Sequence, residues 1–223
     1  MLKNLLLAND LKPHPVVEFD WFSNNYHVFD LSKDNRDLDK VDLNDEEGFS
    51  AYINQVLDEN GKSIGIGGYG EVRSLYSRSD LFEGEEPRTI HLGLDIWASA
   101  GTPVFAPFDG IIHSFDNRNY HGDYGPVIIL EHDLAGKKLF SLYGHLSTDS
   151  LEGKAIDQTI KQGEEFAWFG AYHENFHWPP HLHFQLMWDI QGYKGDYPGV
   201  CKASEAKQYL ANCPDPRPLL DIK

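Results

Sequence analysis

Beyond Thr89 the apolar residues come in stretches too short for an ordinary helix, each closed by Gly, Pro, Asn or Asp. Short apolar runs punctuated by turn residues read as strands, and brief connections between them favour antiparallel pairing. Seven strands are expected: Ile90 to Trp97, Val104 to Ala106, Gly110 to Phe115, Val127 to His132, Lys138 to Tyr143, Glu165 to Phe169 and His181 to Trp188. No helical pattern separates them, which disfavours a doubly wound nucleotide-binding fold.

The first 62 residues differ in texture, being rich in Asp, Asn and Glu with scattered aromatics. One helix stands out there. Asn44 and Glu47 have capping-box spacing, Phe49, Tyr52, Ile53, Val56 and Leu57 follow a helical period, and Gly61 ends it. From Tyr193 onward, Pro198, Pro214, Pro216 and Pro218 specify an extended wrapping tail with a short helix around Ser204 to Leu210. The expected architecture is mainly β: an antiparallel sheet or sandwich over residues 63–223, carrying an N-terminal helical extension over 1–62 and the extended tail.

Charge narrows the partners. Nineteen Lys and Arg stand against 35 Asp and Glu, a formal net charge of -16. Such a surface repels nucleic-acid phosphate and anionic lipid. No apolar run approaches the roughly 20 residues of a membrane span, and Leu5 to Ala8 is too short for a signal-peptide core. As written the chain is expected to be cytoplasmic, or periplasmic or secreted if a leader was removed. Cys201 and Cys213 are too few for a disulfide framework and read as reduced thiols, although an oxidising compartment could pair them. The sequence carries no signal for oligomeric state.

Gly65, Gly67, Gly70 and Val72 fit the G-x-G-x-x-G-x-V phosphate-loop pattern. The kinase lysine, H-R-D and D-F-G signatures are missing, and no helical pattern follows as a dinucleotide fold requires. The loop therefore reads as glycines that let backbone pass close to another segment.

Chemistry concentrates in two histidine motifs, His91-Leu-Gly-Leu-Asp95 and His181-Leu-His183. Residues two apart on a strand share a face with Cα atoms about 6.6 Å apart, so His181 and His183 can project into one cleft, one binding a metal and the other facing it. His91 and Asp95 would lie about 13 Å apart on an extended chain, too far to share an ion, so the chain must bend between them, and Gly93 allows it. His91, Asp95 and one histidine of the second pair would give zinc three ligands with a fourth position open. The remaining histidine and His145 titrate near neutrality and can move protons. Lone histidines at 113, 121, 132, 173 and 177 read as structural or exposed, with His173 and His177 the ones expected nearest the cleft. Trp178 reads as groove wall, and Glu71 with Arg73 as a buried ion pair ordering its loop.

These motifs resemble the M23 family of lysostaphin-type zinc metallopeptidases. The resemblance runs from His91 to about Met187 through His91-Leu-Gly-Leu-Asp95, Gly101-Thr-Pro-Val-Phe-Ala-Pro107, Tyr124-Gly125 to His132, Tyr143-Gly-His-Leu-Ser147 and Pro180-His-Leu-His-Phe184, in family order. It implies a zinc-dependent endopeptidase or amidase acting on peptide or muropeptide, with His91, Asp95 and His183 as zinc ligands and His145 and His181 as catalytic histidines. Two alternatives share the same site: a module that holds metal without turnover, and a hydrolase of an intracellular amide attached to a larger enzyme system. Gln185 stands where the family commonly has Glu, and Trp178-Pro179 where Gly or Ser is more usual, so the groups around the ligands and the groove rim are expected to differ.

Overall fold

The computed structural model describes residues 2–23, 25–42, 45–73, 86–118, 120, 122–175 and 177–220. Asn44 and His121 lie outside the described residues. The strands are β1 (His27–Phe29), β2 (Gly65–Gly67), β3 (Arg88–His91), β4 (Leu94–Trp97), β5 (Pro103–Phe105), β6 (Gly110–Arg118), β7 (Gly125–Leu134), β8 (Lys137–Gly144), β9 (Thr159–Ile160), β10 (Glu165–Trp168), β11 (His181–Met187) and β12 (Val200–Lys202). Eight of them form one sheet in the order β1-β2-β4-β11-β8-β7-β6-β9, while β5 pairs with β10 and β3 with β12. Among the described residues only β1 and β2 run parallel; the fold is mainly antiparallel β, as the sequence implies.

Both faces of the large sheet are covered, so its central strand β11 is buried at all seven positions. On one face Leu94, Ile96, Leu182, Phe184 and Leu186 pack with Leu2, Leu6 and Val16 from the N-terminus. On the other, Val127, Ile129, Leu142 and Met187 meet Tyr197, Cys201 and Cys213 from the tail. Both cysteines are free, buried thiols, and burial pushes Cys201 up to about 11 and Cys213 to about 12.

The stretch expected as one strand, Ile90 to Trp97, is two strands in different sheets, broken at Leu92 and Gly93. This is the bend that the His91–Asp95 spacing demands. The tail contains β12, which pairs with β3, and the helix α3 at Ala206–Asn212. Helix α1 (Leu2–Ala8) and strands β1, β2 and β12 were not legible: segments of three to seven residues are too short to display a period and owe their form to their neighbours.

Helix α2 (Glu46–Glu59) fills the position expected for the N-terminal helix. Its N-cap is Asp45, whose carboxylate accepts the Glu47 N–H at 3.2 Å. Its end is a Schellman motif: Lys62 N–H donates to Leu57 O, Gly61 N–H to Asp58 O, and Gly61 has φ +62°. Phe49, Ile53 and Leu57 of this helix pack with Phe29 and Leu31 against Trp97 at the end of β4, which brings the N-terminal extension to the rim of the cleft described below.

His132 on β7 is a structural histidine, as read from the sequence. Its Nδ1–H donates to Asp109 O at 3.0 Å and Ser141 Oγ–H donates to its Nε2 at 2.7 Å, so the neutral ring is fully satisfied. Burial lowers its pKa from 6.5 to about 4. The folded state thus favours the neutral ring, a contribution complete above about pH 6.5 and lost as pH falls toward 4. At 1.36 kcal/mol per pH unit it amounts to about 3 kcal/mol. Urea unfolding of wild type and His132→Gln between pH 4 and 7 should show the wild-type advantage shrinking over that window; a constant difference would refute the assignment.

Candidate metal centre

Cross-strand register builds the site. Gly67 on β2, Asp95 on β4, His183 on β11 and Gly144 on β8 are successive partners across the sheet, as are Gly65, Trp97 and His181 one step along. The glycines flanking Asp95 and His183 leave space above the sheet. A Cβ on Gly67 would strike the Trp97 ring and stand 2.9 Å from Arg73 Nη2; one on Gly144 would stand 2.5 Å from Tyr124 Cδ1. The glycine-rich loop therefore has the role read from its sequence, close backbone approach.

After the bend at Gly93, His91 turns back toward Asp95. His91 Nε2 lies 3.2 Å from Asp95 Oδ1, His183 Nδ1 lies 3.3 Å from the same oxygen, and the two nitrogens are 3.0 Å apart. All three side chains are at least 95% buried. The hydrogen bonds on their far sides fix what faces inward. His91 Nδ1–H donates to Gly68 O at 2.9 Å, which leaves Nε2 bare. His183 Nε2–H donates to Gln185 Oε1 at 2.9 Å, which leaves Nδ1 bare; Gln185 Nε2 in turn donates to Pro198 O at 3.1 Å. Two nitrogen lone pairs and a carboxylate oxygen thus converge without a proton to share between them, an arrangement that calls for a cation. Zinc held tetrahedrally at 2.0–2.1 Å separates its ligands by about 3.3 Å, so the donor triangle and the donor chemistry both fit that ion.

Electrostatics keep the donor atoms unprotonated. Burial works to raise the Asp95 carboxyl, but His91, the Arg73 guanidinium and the close approach of both imidazoles outweigh it and hold it well below the usual range. Burial, aided by Arg73, lowers His91 to about 4. Both are in the ligating protonation state at neutral pH.

The other two histidines stand beside this triangle. His145 and His181 have ring centroids 4.1 Å apart. His181 Nδ1–H donates to Pro179 O at 2.7 Å, which leaves Nε2 as its basic atom, and Trp97 stacks on its ring at 5.8 Å. His145 Nδ1 is buried without a partner, and its φ of +61° is a strained conformation for a residue with a Cβ. Burial, then His181, pushes His145 well below its ordinary pKa, and burial lowers His181. Two neutral imidazoles are thereby available, each with one N–H to donate and one nitrogen able to accept a proton.

These residues line a cleft of about 260 Å³. Leu31, Phe49, Trp97, Trp178 and Val200 wall the side near His181, whereas Arg118, Asp123 and Asp196, joined by ion pairs of 3.1 and 3.3 Å, form part of the rest. Trp178 is groove wall, as expected. His173 and His177 are not part of the cleft lining: His177 instead packs on Tyr172 at 4.9 Å, in the loop before β11. Sequence reasoning missed Tyr124, whose ring sits 5.1 Å from His183 and 5.9 Å from His145 while its hydroxyl donates to Tyr197 O at 2.9 Å. The sequence placed it only in the Tyr124-Gly125 strand motif, with no role at the site.

Gly93 leaves no room for a side chain. An added Cβ would stand 2.6 Å from His183 Nε2 and 2.9 Å from Phe184 O. Gly93→Ala is expected to weaken folding by about 1–3 kcal/mol through overpacking and to displace the His183 ring. Denaturation of the metal-free protein reads this directly; unchanged stability would mean the ring and carbonyl can yield.

Comparison with known proteins bears out the resemblance drawn from the motifs. Residues 89–195, just under half of the chain, match the model of peptidase family M23. An uncharacterized metalloprotease of Haemophilus influenzae is 34% identical over 96 residues, 43% of this chain and 18% of its own length. The glycyl-glycine endopeptidase ALE-1 of Staphylococcus capitis is 32% identical over 97 residues, 44% of this chain and 24% of its own. The match thus spans about a fifth of these relatives. Among solved structures, the catalytic domain of the antimicrobial peptidase lysostaphin from Staphylococcus simulans is similar at 26% identity, with a TM-score of 0.43 over 63% of this chain and 86% of that one.

Proposed function

We propose that this chain is a zinc-dependent peptidase that cleaves an amide bond in a cross-linked peptide of the muropeptide type. The observation that carries the reading is the convergence of three bare donor atoms, from His91, Asp95 and His183, beside the paired rings of His145 and His181 in one cleft. His91, Asp95 and His183 would hold the ion. When bound there, zinc supplies Lewis acidity that polarises a carbonyl and acidifies water.

The chain's own residues supply the proton traffic. His181, pinned through Nδ1 by Pro179 O, accepts a proton at Nε2 and returns it to the leaving amine. His145, a neutral imidazole whose Nδ1 has no protein partner, donates its ring N–H to the developing oxyanion. Leu31, Phe49, Trp97 and Trp178 exclude water from one side of the cleft. The relatives' printed activities, metalloprotease and glycyl-glycine endopeptidase, support peptide as the substrate class. The net charge of -16 favours released, soluble muropeptides over an intact anionic wall.

The test begins with metal content by mass spectrometry on protein purified without added metal or chelator. About one zinc per wild-type chain, lost in His183→Ala, is expected. Cross-linked muropeptides are then offered to the loaded protein; a loaded protein that binds them uncut would turn the reading to a metal-holding module without turnover.

A further inference from the structure

Upstream of the matched segment, residues 67–73 run alongside β3: Gly70 N–H donates to His91 O at 2.9 Å, His91 N–H to Glu71 O at 3.0 Å, and Arg73 N–H to Thr89 O at 2.9 Å. This pairing carries the Arg73 side chain, 2% exposed, behind Asp95. Arg73 Nη1 donates to Asp95 Oδ2 at 2.6 Å, its Nε donates to Glu71 Oε2 at 2.6 Å, and Glu71 Oε1 accepts the Leu31 N–H at 3.0 Å. The two Asp95 oxygens are thereby divided. Oδ2 is taken by the guanidinium, and only Oδ1 faces the bare nitrogens of His91 and His183.

From this geometry we propose that Glu71 and Arg73 are positioning residues that commit Asp95 to one-oxygen ligation, and so keep the metal at low coordination number with a position open for substrate. The inference rests on the metal-centre reading above. A carboxylate free at both oxygens can bind a cation through both, and the added ligand moves the ion away from tetrahedral geometry. Arg73 forestalls this with a charge-assisted hydrogen bond. Glu71 holds the guanidinium through Nε, so that Nη1 is aimed at one oxygen. Because Glu71 also binds Leu31, the clamp ties the N-terminal extension to the centre. Gly67 is part of the device, since its missing Cβ is what admits the guanidinium.

The experiment uses the full chain loaded with cobalt(II), whose visible absorption is intense when four-coordinate and weak when the coordination number rises. Wild type, Arg73→Met, Arg73→Lys and Glu71→Gln are compared, with metal stoichiometry and far-UV circular dichroism measured on each. Wild type is expected to show the intense band. Arg73→Met should lose most of that intensity while still binding metal, Arg73→Lys should restore it through a single ammonium contact to Oδ2, and Glu71→Gln should fall between. A folded, loaded Arg73→Met with the wild-type spectrum overturns the proposal. Should Arg73→Met not fold, a wild-type spectrum in Glu71→Gln overturns it equally. A wild-type chain that takes up no metal at all would instead sink the metal-centre reading, which keeps the two failures distinct.

Discussion

Asp95→Asn is expected to lose zinc while keeping its fold. In the wild type, Asp95 Oδ1 faces two bare imidazole nitrogens and Oδ2 accepts from Arg73. An asparagine can present its carbonyl to Arg73 and its NH2 to His91 and His183. Every polar group is then satisfied by protein alone, and N–H groups occupy the space where a cation would sit. If a zinc site stabilises by about 10–16 kcal/mol over four ligands, one ligand represents roughly 3 kcal/mol, so affinity should fall at least on the order of 100-fold. Asp95→Ala behaves differently. It leaves Arg73, 2% exposed, with one anionic partner fewer, and a buried pair broken on one side loses about 3–5 kcal/mol of stability. Zinc competition against a chromophoric chelator, run beside urea unfolding, separates the two outcomes. Wild-type zinc affinity in Asp95→Asn would refute the ligand assignment.

Removing either facing histidine should abolish most hydrolysis without removing the metal. His181 and His145 stand outside the donor triangle of His91, Asp95 and His183: His181 Nδ1–H is bound to Pro179 O, and His145 Nδ1 has no partner. His181→Ala and His145→Ala are each expected to lower the cleavage rate of cross-linked muropeptides by about 10²–10⁴-fold, the usual contribution of a positioned acid or base. Zinc content should stay at the wild-type level. The double variant should be little worse than the poorer single one if the two rings act on the same proton transfer and oxyanion. Equal cleavage by wild type and both single variants would remove these residues from the chemistry.

Part of this site was legible because its chemistry depends on residue type and short-range spacing. A strand has a two-residue side-chain period, so His181-Leu-His183 had to place both imidazoles on one face, and the pleat of β11 does so. The distance between His91 and Asp95 had to be closed by a bend, and the only residue between them without a side chain, Gly93, lies in it. Spacing could not tell which histidine of the pair joins the metal triangle. That follows from register: His183 lies opposite Asp95, whereas His181 lies opposite Trp97. The expectation that His173 and His177 would approach the cleft failed because loop residues near a motif in sequence are free to turn away from it in space.

The sequence by itself determined the fold class, the bend at Gly93 and the set of side chains able to hold a metal, because strand period, turn chemistry and donor type act over a few residues. Only the tertiary structure decided the rest: which histidine of the pair joins the donor triangle, the Gly68 and Gln185 oxygens that fix both imidazole tautomers, the clamp of Glu71 and Arg73, and the short strands β1, β2 and β12. Each depends on partners far apart in the chain, such as the 92 residues between His91 and His183. No local periodicity encodes such a meeting; it arises when burial of both sheet faces selects one register, and with it one set of neighbours.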